Sequence, residues 1–247
     1  MAKLEQLIIP NWPAPKQVKA FGSTRVGGFS QGPYQGLNLG MHVGDDAATV
    51  ERNRSKLVQD ANMPSLPVWL NQTHSNVVAV CEESTSAVVD ADGVVTSTPQ
   101  VVCSVMTADC LPVLITNTAG TQVAAVHAGW RGLANGIIEN ALKKMSGEPL
   151  IWLGPAIGPS AFEVGEDVLT AFVSMHSDTE QAFTPREGIA GKWLADMDLI
   201  TRIRLNDLGV TQIFSSNLCT FNDAERFYSY RRDGITGRQA SFIWIEE

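Results

Sequence analysis

The chain has 247 residues, 44% of them hydrophobic, with a formal net charge of -8 and a pI near 5.0. That length and apolar content suffice for a sizeable core in one domain spanning 1–247, and they argue against disorder. The acidic balance leaves no basic field to hold a nucleic acid by counterion release, and no apolar run of about 18 residues is present to span a membrane.

The opening segment MAKLEQLIIPNWPAPK has a short apolar stretch closed by Pro10 and Pro13. It is too short for the core of a signal peptide, so a cytoplasmic protein is expected. A helix is predicted over 47–59 behind the caps Asp45 and Asp46. Runs rich in Val, Ile and Thr then predict strands at 68–70, 77–80, 101–106, 112–116 and 122–127. A helix over 132–145, a strand at 151–153, and helices over 166–175 and 194–208 follow, the last stopped by Gly209. The C-terminus reads as a hairpin, 226–231 returning as 239–245 around DGITG. Consecutive strands mixed with strand–helix alternation indicate an α+β fold. The cysteines Cys81, Cys103, Cys110 and Cys219 lack CxxC pairing and read as reduced thiols, mostly core.

The histidines are four, His42, His74, His127 and His176. His74 closes VWLNQTH, and His127 closes TQVAAVH ahead of AGWRG, where the chain turns into a helix. Cys110 lies in VVCSVMTADCLPVLI, where Thr107 to Asp109 interrupt two strands that would otherwise be continuous. Two imidazoles and a thiolate suit a catalytic zinc, which keeps one coordination position open. The same residues also read as two satisfied core histidines and a buried thiol. A third reading is a metal-free Cys110 nucleophile with His127 as base.

The strings NQTHSNVV, ADGVVTS, TADCLPVLI, AAVHAGWRGLANGI, WLGPAIGP, FEVG and FYSYRRDGITGRQ resemble the YfiH family. Its members are also called laccase-domain or polyphenol-oxidase-like proteins and are regarded as purine nucleoside phosphorylases. The resemblance runs from about Phe21 to the C-terminus. It implies zinc held by His74, Cys110 and His127, and a layered sandwich of mixed β-sheets flanked by helices, similar to the deamidase domain of certain bacterial toxins. It also implies adenosine or inosine and phosphate as substrates, with methylthioadenosine phosphorolysis and adenosine deamination as further activities.

Phosphorolysis needs fixed donors for a phosphate dianion beside the sugar C1′. Arg131, with the N–H groups of 129–132 at a helix start, and Arg25 in STRVGGFSQG are candidates, as are the tail arginines Arg231, Arg232 and Arg238. Each stands against the ordinary role of a surface or ion-paired arginine. His42, in LNLGMHVGD, is a candidate for the same pocket or a loop histidine bonded to backbone. Asp92 and Asp109 are candidates to orient the ligand histidines, or turn residues. Trp130 is a candidate for the pocket, Trp69, Trp152 and Trp244 are expected in the core, and His176 on the surface.

A multicopper laccase needs many imidazoles, and four cannot build a blue-copper centre plus a trinuclear cluster. Copper can displace zinc at the three ligands, which keeps a copper-dependent polyphenol oxidation open. The HxE and PCxxC signature of cytidine-type deaminases is missing, so deamination rests on the resemblance. The other classes are a Cys-His amidase or hydrolase acting on cell-wall precursors, and a protein merely stapled by zinc, which would want a fourth ligand. A monomer is expected.

Overall fold

The computed structural model describes residues 7–247. The expectation that the chain begins without a secretory leader falls partly on residues 1–6, outside that range. Among the described residues, no helix is long and apolar enough to cross a membrane.

Strands β1 (Val18–Gly22), β4 (Cys103–Thr107) and β12 (Gln239–Ile245) form a three-stranded antiparallel sheet with β12 in the middle. A six-stranded mixed sheet contains β2 (Val78–Val80), β3 (Gly93–Thr96), β5 (Leu111–Asn117), β6 (Val123–Ala128), β7 (Pro149–Leu153) and β11 (Ile213–Ser215). Its spatial order is β11-β7-β5-β6-β3-β2, with the outer pairs β11/β7 and β2/β3 parallel and the rest antiparallel. A small antiparallel sheet joins β8 (Glu163–Gly165), β9 (Phe183–Pro185) and β10 (Lys192–Ala195).

Side-chain alternation explains the layering, because successive residues of a strand face opposite sides. Leu114, Ala125 and Trp152 of the large sheet pack on Val105 and Ile243 of the β1-β12-β4 sheet, forming an apolar layer between them. Their neighbours Val113, Ile115, Val126 and Ile151 face the other way, onto helices α2 (Trp130–Ala134), α3 (Ile137–Leu142), α4 (Glu166–Val173) and α5 (Met197–Asp207). Phe242 and Trp244 turn outward from β12 onto Leu57 of α1 (Ala47–Asp60). Both central sheets are covered on two sides, so their strands read as unbroken apolar runs. The result is the expected α+β layered sandwich.

Several local expectations are corrected. Asp46 alone caps α1, accepting the Thr49 N–H at 2.8 Å, while Asp45 accepts from Ser30 and Asn38. The helix predicted over 132–145 is broken at Gly136, whose φ of 81° separates α2 from α3. Residues 68–70 make only isolated bridges, Val68 to Cys103 and Leu70 to Val89. The start of the helix predicted over 194–208 is spent on β10, and Asp196 caps the true start by accepting the Leu199 N–H. Among the described residues, no C-terminal hairpin forms. Tyr230–Asp233 is a single helical turn, α6, and β12 pairs with β1 and β4 from remote parts of the chain. The four cysteines are free thiols.

Candidate metal centre

Three segments meet where β5 begins and β6 ends. His127 lies opposite Pro112 in the β5/β6 register, and strand alternation turns its buried side chain toward the layer between the sheets. Cys110 sits on the link from β4 to β5, where the chain passes from one sheet to the other. Asp109 takes φ 98° there, and its carboxylate accepts the Thr220 hydroxyl and the Arg231 N–H, each at 2.7 Å. His74, at φ 62°, occupies a tight loop wrapped around Asp92. The fully buried Asp92 carboxylate accepts the N–H groups of Thr73 (3.1 Å), His74 (3.0 Å) and Ser75 (2.7 Å) and the Ser75 hydroxyl (2.6 Å). It also accepts Nδ1–H of His127 at 2.8 Å, leaving Nε2 as that ring's available donor atom.

One donor atom from each of His74, Cys110 and His127 lies within 4.8 Å of the others. Cys110 Sγ is 3.6 Å from His74 Nε2, against about 3.5 Å between sulfur and nitrogen on a tetrahedral zinc with ordinary bond lengths. The imidazole centroids are 4.8 Å apart at 73°. Gly129 makes the approach possible, because a Cβ there would stand 2.5 Å from His74 Cδ2 and 3.2 Å from Cys110 Sγ. The donor types, the spacing and this side-chain-free neighbour fit a metal ion.

Electrostatics agree with the geometry. Burial works against ionising Cys110, but the adjoining His127 charge and hydrogen bonds from both imidazoles outweigh it and bring the thiol down to about 6. Burial likewise opposes charging His127, yet the Cys110 thiolate and the Asp92 carboxylate raise it to about 9. Asp92 is itself held well below the carboxylate range, its burial outweighed by bonds from His127 and Ser75. A thiolate is therefore ready at neutral pH, and a bound cation would take the place of the imidazolium proton.

The three side chains open into a cleft of about 370 Å³ whose other walls include His42, Gln72, Tyr230 and Arg238. His74 is exposed, Cys110 half-buried and His127 buried, so solvent and ligand reach the centre from the His74 side. Burial first, and then the Arg238 and Arg54 charges, lower the pKa of His42. Gln72 bridges backbone, donating to Met106 O and accepting Met106 N–H, each at 2.8 Å.

Other candidates lie elsewhere. Arg25 donates to the carbonyls of Ala224 and Gln35 and stacks 4.5 Å over the Tyr228 ring. Arg131 is exposed and stacks on Trp130. Neither lines the cleft. Trp130 packs against the helical side of the core. Arg231 and Arg232 donate to carbonyls, those of Glu163, Thr220, Phe221 and Phe227 among them. Asp109 holds the C-terminal segment and no histidine. His176 is half-buried and bonded to Asp207, because it begins the 3-10 helix Ser177–Ala182 rather than ending a solvent-facing helix. Trp152 and Trp244 are buried, and Trp69 packs edge-on to Phe242. Sequence reasoning takes Gly129 only as an N–H donor at a helix start and Arg238 only as one of three tail arginines; the GWRG and TGRQ strings do not show that Gly129 makes room for the two side chains or that Arg238 lines the cleft.

A family model described as multi-copper polyphenol oxidoreductase laccase matches residues 19–246. The chain belongs to this laccase-domain family. A Haemophilus influenzae purine nucleoside phosphorylase is 50% identical to this laccase-domain chain over 98% of it and all of the relative. The Escherichia coli purine nucleoside phosphorylase YfiH is 49% identical with the same coverage. The crystal structure of a Neisseria meningitidis protein superposes with a TM-score of 0.93 at 46% identity, covering 98% of this chain and 100% of that one. YlmD from Geobacillus stearothermophilus gives 0.88 at 28% identity, covering 100% and 98%. The laccase-domain description is not matched by the ligand supply, since the chain's four histidines put two on this centre and one, His176, on Asp207.

Proposed function

We propose that this protein is a zinc-dependent purine nucleoside phosphorylase. The observation carrying the proposal is the His74–Cys110–His127 donor set, within 4.8 Å, in the wall of a cleft that also carries an aromatic ring and a guanidinium. The activity for which the relatives are named supports it. Two imidazoles and one thiolate form a three-ligand set that favours zinc and leaves a position for substrate.

In the reaction, the C1′–N9 bond of adenosine or inosine breaks and its electron pair leaves with the base. A phosphate oxygen bonds to C1′, and the proton lost by hydrogen phosphate balances the one the base gains, giving free purine and ribose 1-phosphate. A bound zinc ion supplies Lewis-acid polarisation of an oxygen or nitrogen of the substrate. Asp92 fixes the His127 ring and the His74 loop together. Exposed Tyr230 offers its face to the purine, and His42, whose charged form burial disfavours, offers a ring nitrogen for a hydrogen bond. Methylthioadenosine needs only room at the open mouth. Adenosine deamination would use the same pocket, with water adding at C6, the C6–N6 bond breaking, and a proton of the water passing to the departing ammonia to leave inosine.

A second reading, a metal-free Cys-His hydrolase, draws on the alignment of Cys110, His127 and Asp92 as nucleophile, base and orienting carboxylate. Elemental analysis separates the two, about one zinc per chain against none. Adenosine incubated with and without phosphate tests the reaction. Free base is expected only with phosphate, and only while Cys110 is intact. Base release independent of phosphate would defeat the proposal.

A further inference from the structure

Among the described residues, Arg238 is the one arginine lining the metal cleft, and it is pinned there at several points. Its backbone N–H donates to Asn38 Oδ1 at 2.8 Å, and its carbonyl accepts the Leu39 N–H at 3.0 Å. Asn38 is fully buried and fixed in turn by Asp45, to which it donates at 2.9 Å. The side-chain stem lies on Gly40, where a Cβ would stand 2.8 Å from Arg238 Cγ. One nitrogen, Nη1, donates to the carbonyls of Thr236 (3.1 Å) and Gly237 (2.9 Å). Among the described residues, Nε and Nη2 find no protein acceptor.

A half-buried guanidinium pinned at its backbone, stem and one nitrogen, with two donor nitrogens uncommitted, is preorganised for a bidentate oxyanion. Arg25 and Arg232 spend both terminal nitrogens on protein acceptors, and Arg231, which like Arg238 commits only Nη1, lies outside the cleft. We infer that Arg238 anchors the phosphate co-substrate, with the Asn38–Leu39–Gly40 segment as its brace, in place of Arg25 and Arg131. This rests on the phosphorolysis reading for the identity of the anion, since any phosphate oxyanion has the same chemistry. The NLG string of the sequence thereby has a double role, because the same turn delivers His42 to one wall and supports the cation on another.

The test uses the full-length, metal-loaded protein and inorganic phosphate as the probe. Calorimetric titration should give saturable phosphate binding that Arg238→Met abolishes and Arg238→Lys weakens. In steady-state assays the KM for phosphate should rise by about tenfold or more in Arg238→Met, with the KM for adenosine moving little. Gly40→Ala, which leaves the guanidinium chemistry intact and displaces its stem, should raise the same constant. Equal effects on both substrates, or undiminished phosphate binding by Arg238→Met, would overturn the inference. So would binding of adenosine 5′-monophosphate through Arg238 with none of inorganic phosphate. Phosphate binding lost in Arg238→Met, in a protein that releases base without phosphate, would instead overturn the phosphorolysis reading and leave the anion site standing.

Discussion

Asp92 and His127 are joined by a 2.8 Å hydrogen bond from the imidazole Nδ1–H to the carboxylate Oδ1. The same carboxylate collects three successive backbone N–H groups, from Thr73 through Ser75, and so also shapes the loop that carries His74. One buried anion thus sets the ring orientation of one candidate ligand and the position of another. Two candidate ligands far apart in sequence depend on a single side chain.

Replacing that anion is therefore expected to loosen the metal before it affects any other function. Asp92→Asn should bind metal about 10- to 100-fold more weakly, the usual cost of losing the acceptor behind a ligating histidine. Competition against a chromogenic chelator measures it. Because the site is buried and loses charge-assisted bonds, about 3–5 kcal/mol of folding stability should go as well, read by urea denaturation. Unchanged metal affinity would mean that the centre is held by other contacts.

Gly129 permits a cleaner perturbation. Its backbone, at φ -64° and ψ 157°, is one any residue adopts, so alanine adds no backbone strain. The added methyl would fall 2.5 Å from His74 Cδ2. Since that ring is exposed, it can swing away and leave the fold intact. Gly129→Ala should melt within about 1 kcal/mol of wild type while its metal content drops well below one ion per chain.

Removing the metal exposes the Cys110–His127 pair to titration. Burial opposes thiolate formation, but the charge of His127 and the hydrogen bonds of both imidazoles bring the Cys110 thiol down to about 6. The thiolate is the reactive form, so it is present above that value and lost as the pH falls through it. Iodoacetamide alkylation of chelator-treated protein should show a midpoint near 6 at Cys110. His127→Gln should push the midpoint up toward the ordinary thiol value of about 8.5. A midpoint near about 8.5 in the unaltered chain would mean that the two side chains do not interact.

The sequence makes these candidate ligands stand out because each lies at a boundary that hydrophobic patterning marks. His74 and Cys110 follow apolar runs that end in polar residues, and His127 ends a strand before a glycine-rich turn. The buried strands were equally visible, since sheets covered on both faces leave continuous apolar runs such as Leu111–Asn117. What patterning cannot convey is which strand pairs with which. Residues 226–231 lie close in sequence to β12, and a hairpin is the local solution. β12 pairs instead with β1, at the opposite end of the chain, and with β4, while its Phe242 and Trp244 pack in one cluster with Leu57 of α1. Nothing in the sequence sets Arg238 apart from the other tail arginines for the same reason, as its brace at Asn38 and Gly40 comes from the other end of the chain.

At Gly136 the sequence pattern and the structure predict opposite signs. A continuous helix over 132–145 would place this glycine in a helix interior, and alanine there would stabilise by about 1 kcal/mol. Here Gly136 takes φ 81° and ψ 35° as the break between α2 and α3, a conformation in which a Cβ is strained. The break turns α3 so that Ile137, Ile138 and Ala141 bury against the large sheet. Gly136→Ala should therefore destabilise by about 1–2 kcal/mol, seen as a lower urea midpoint with an unchanged slope. Stabilisation of similar size would restore the single helix and with it a different path for the chain leaving His127.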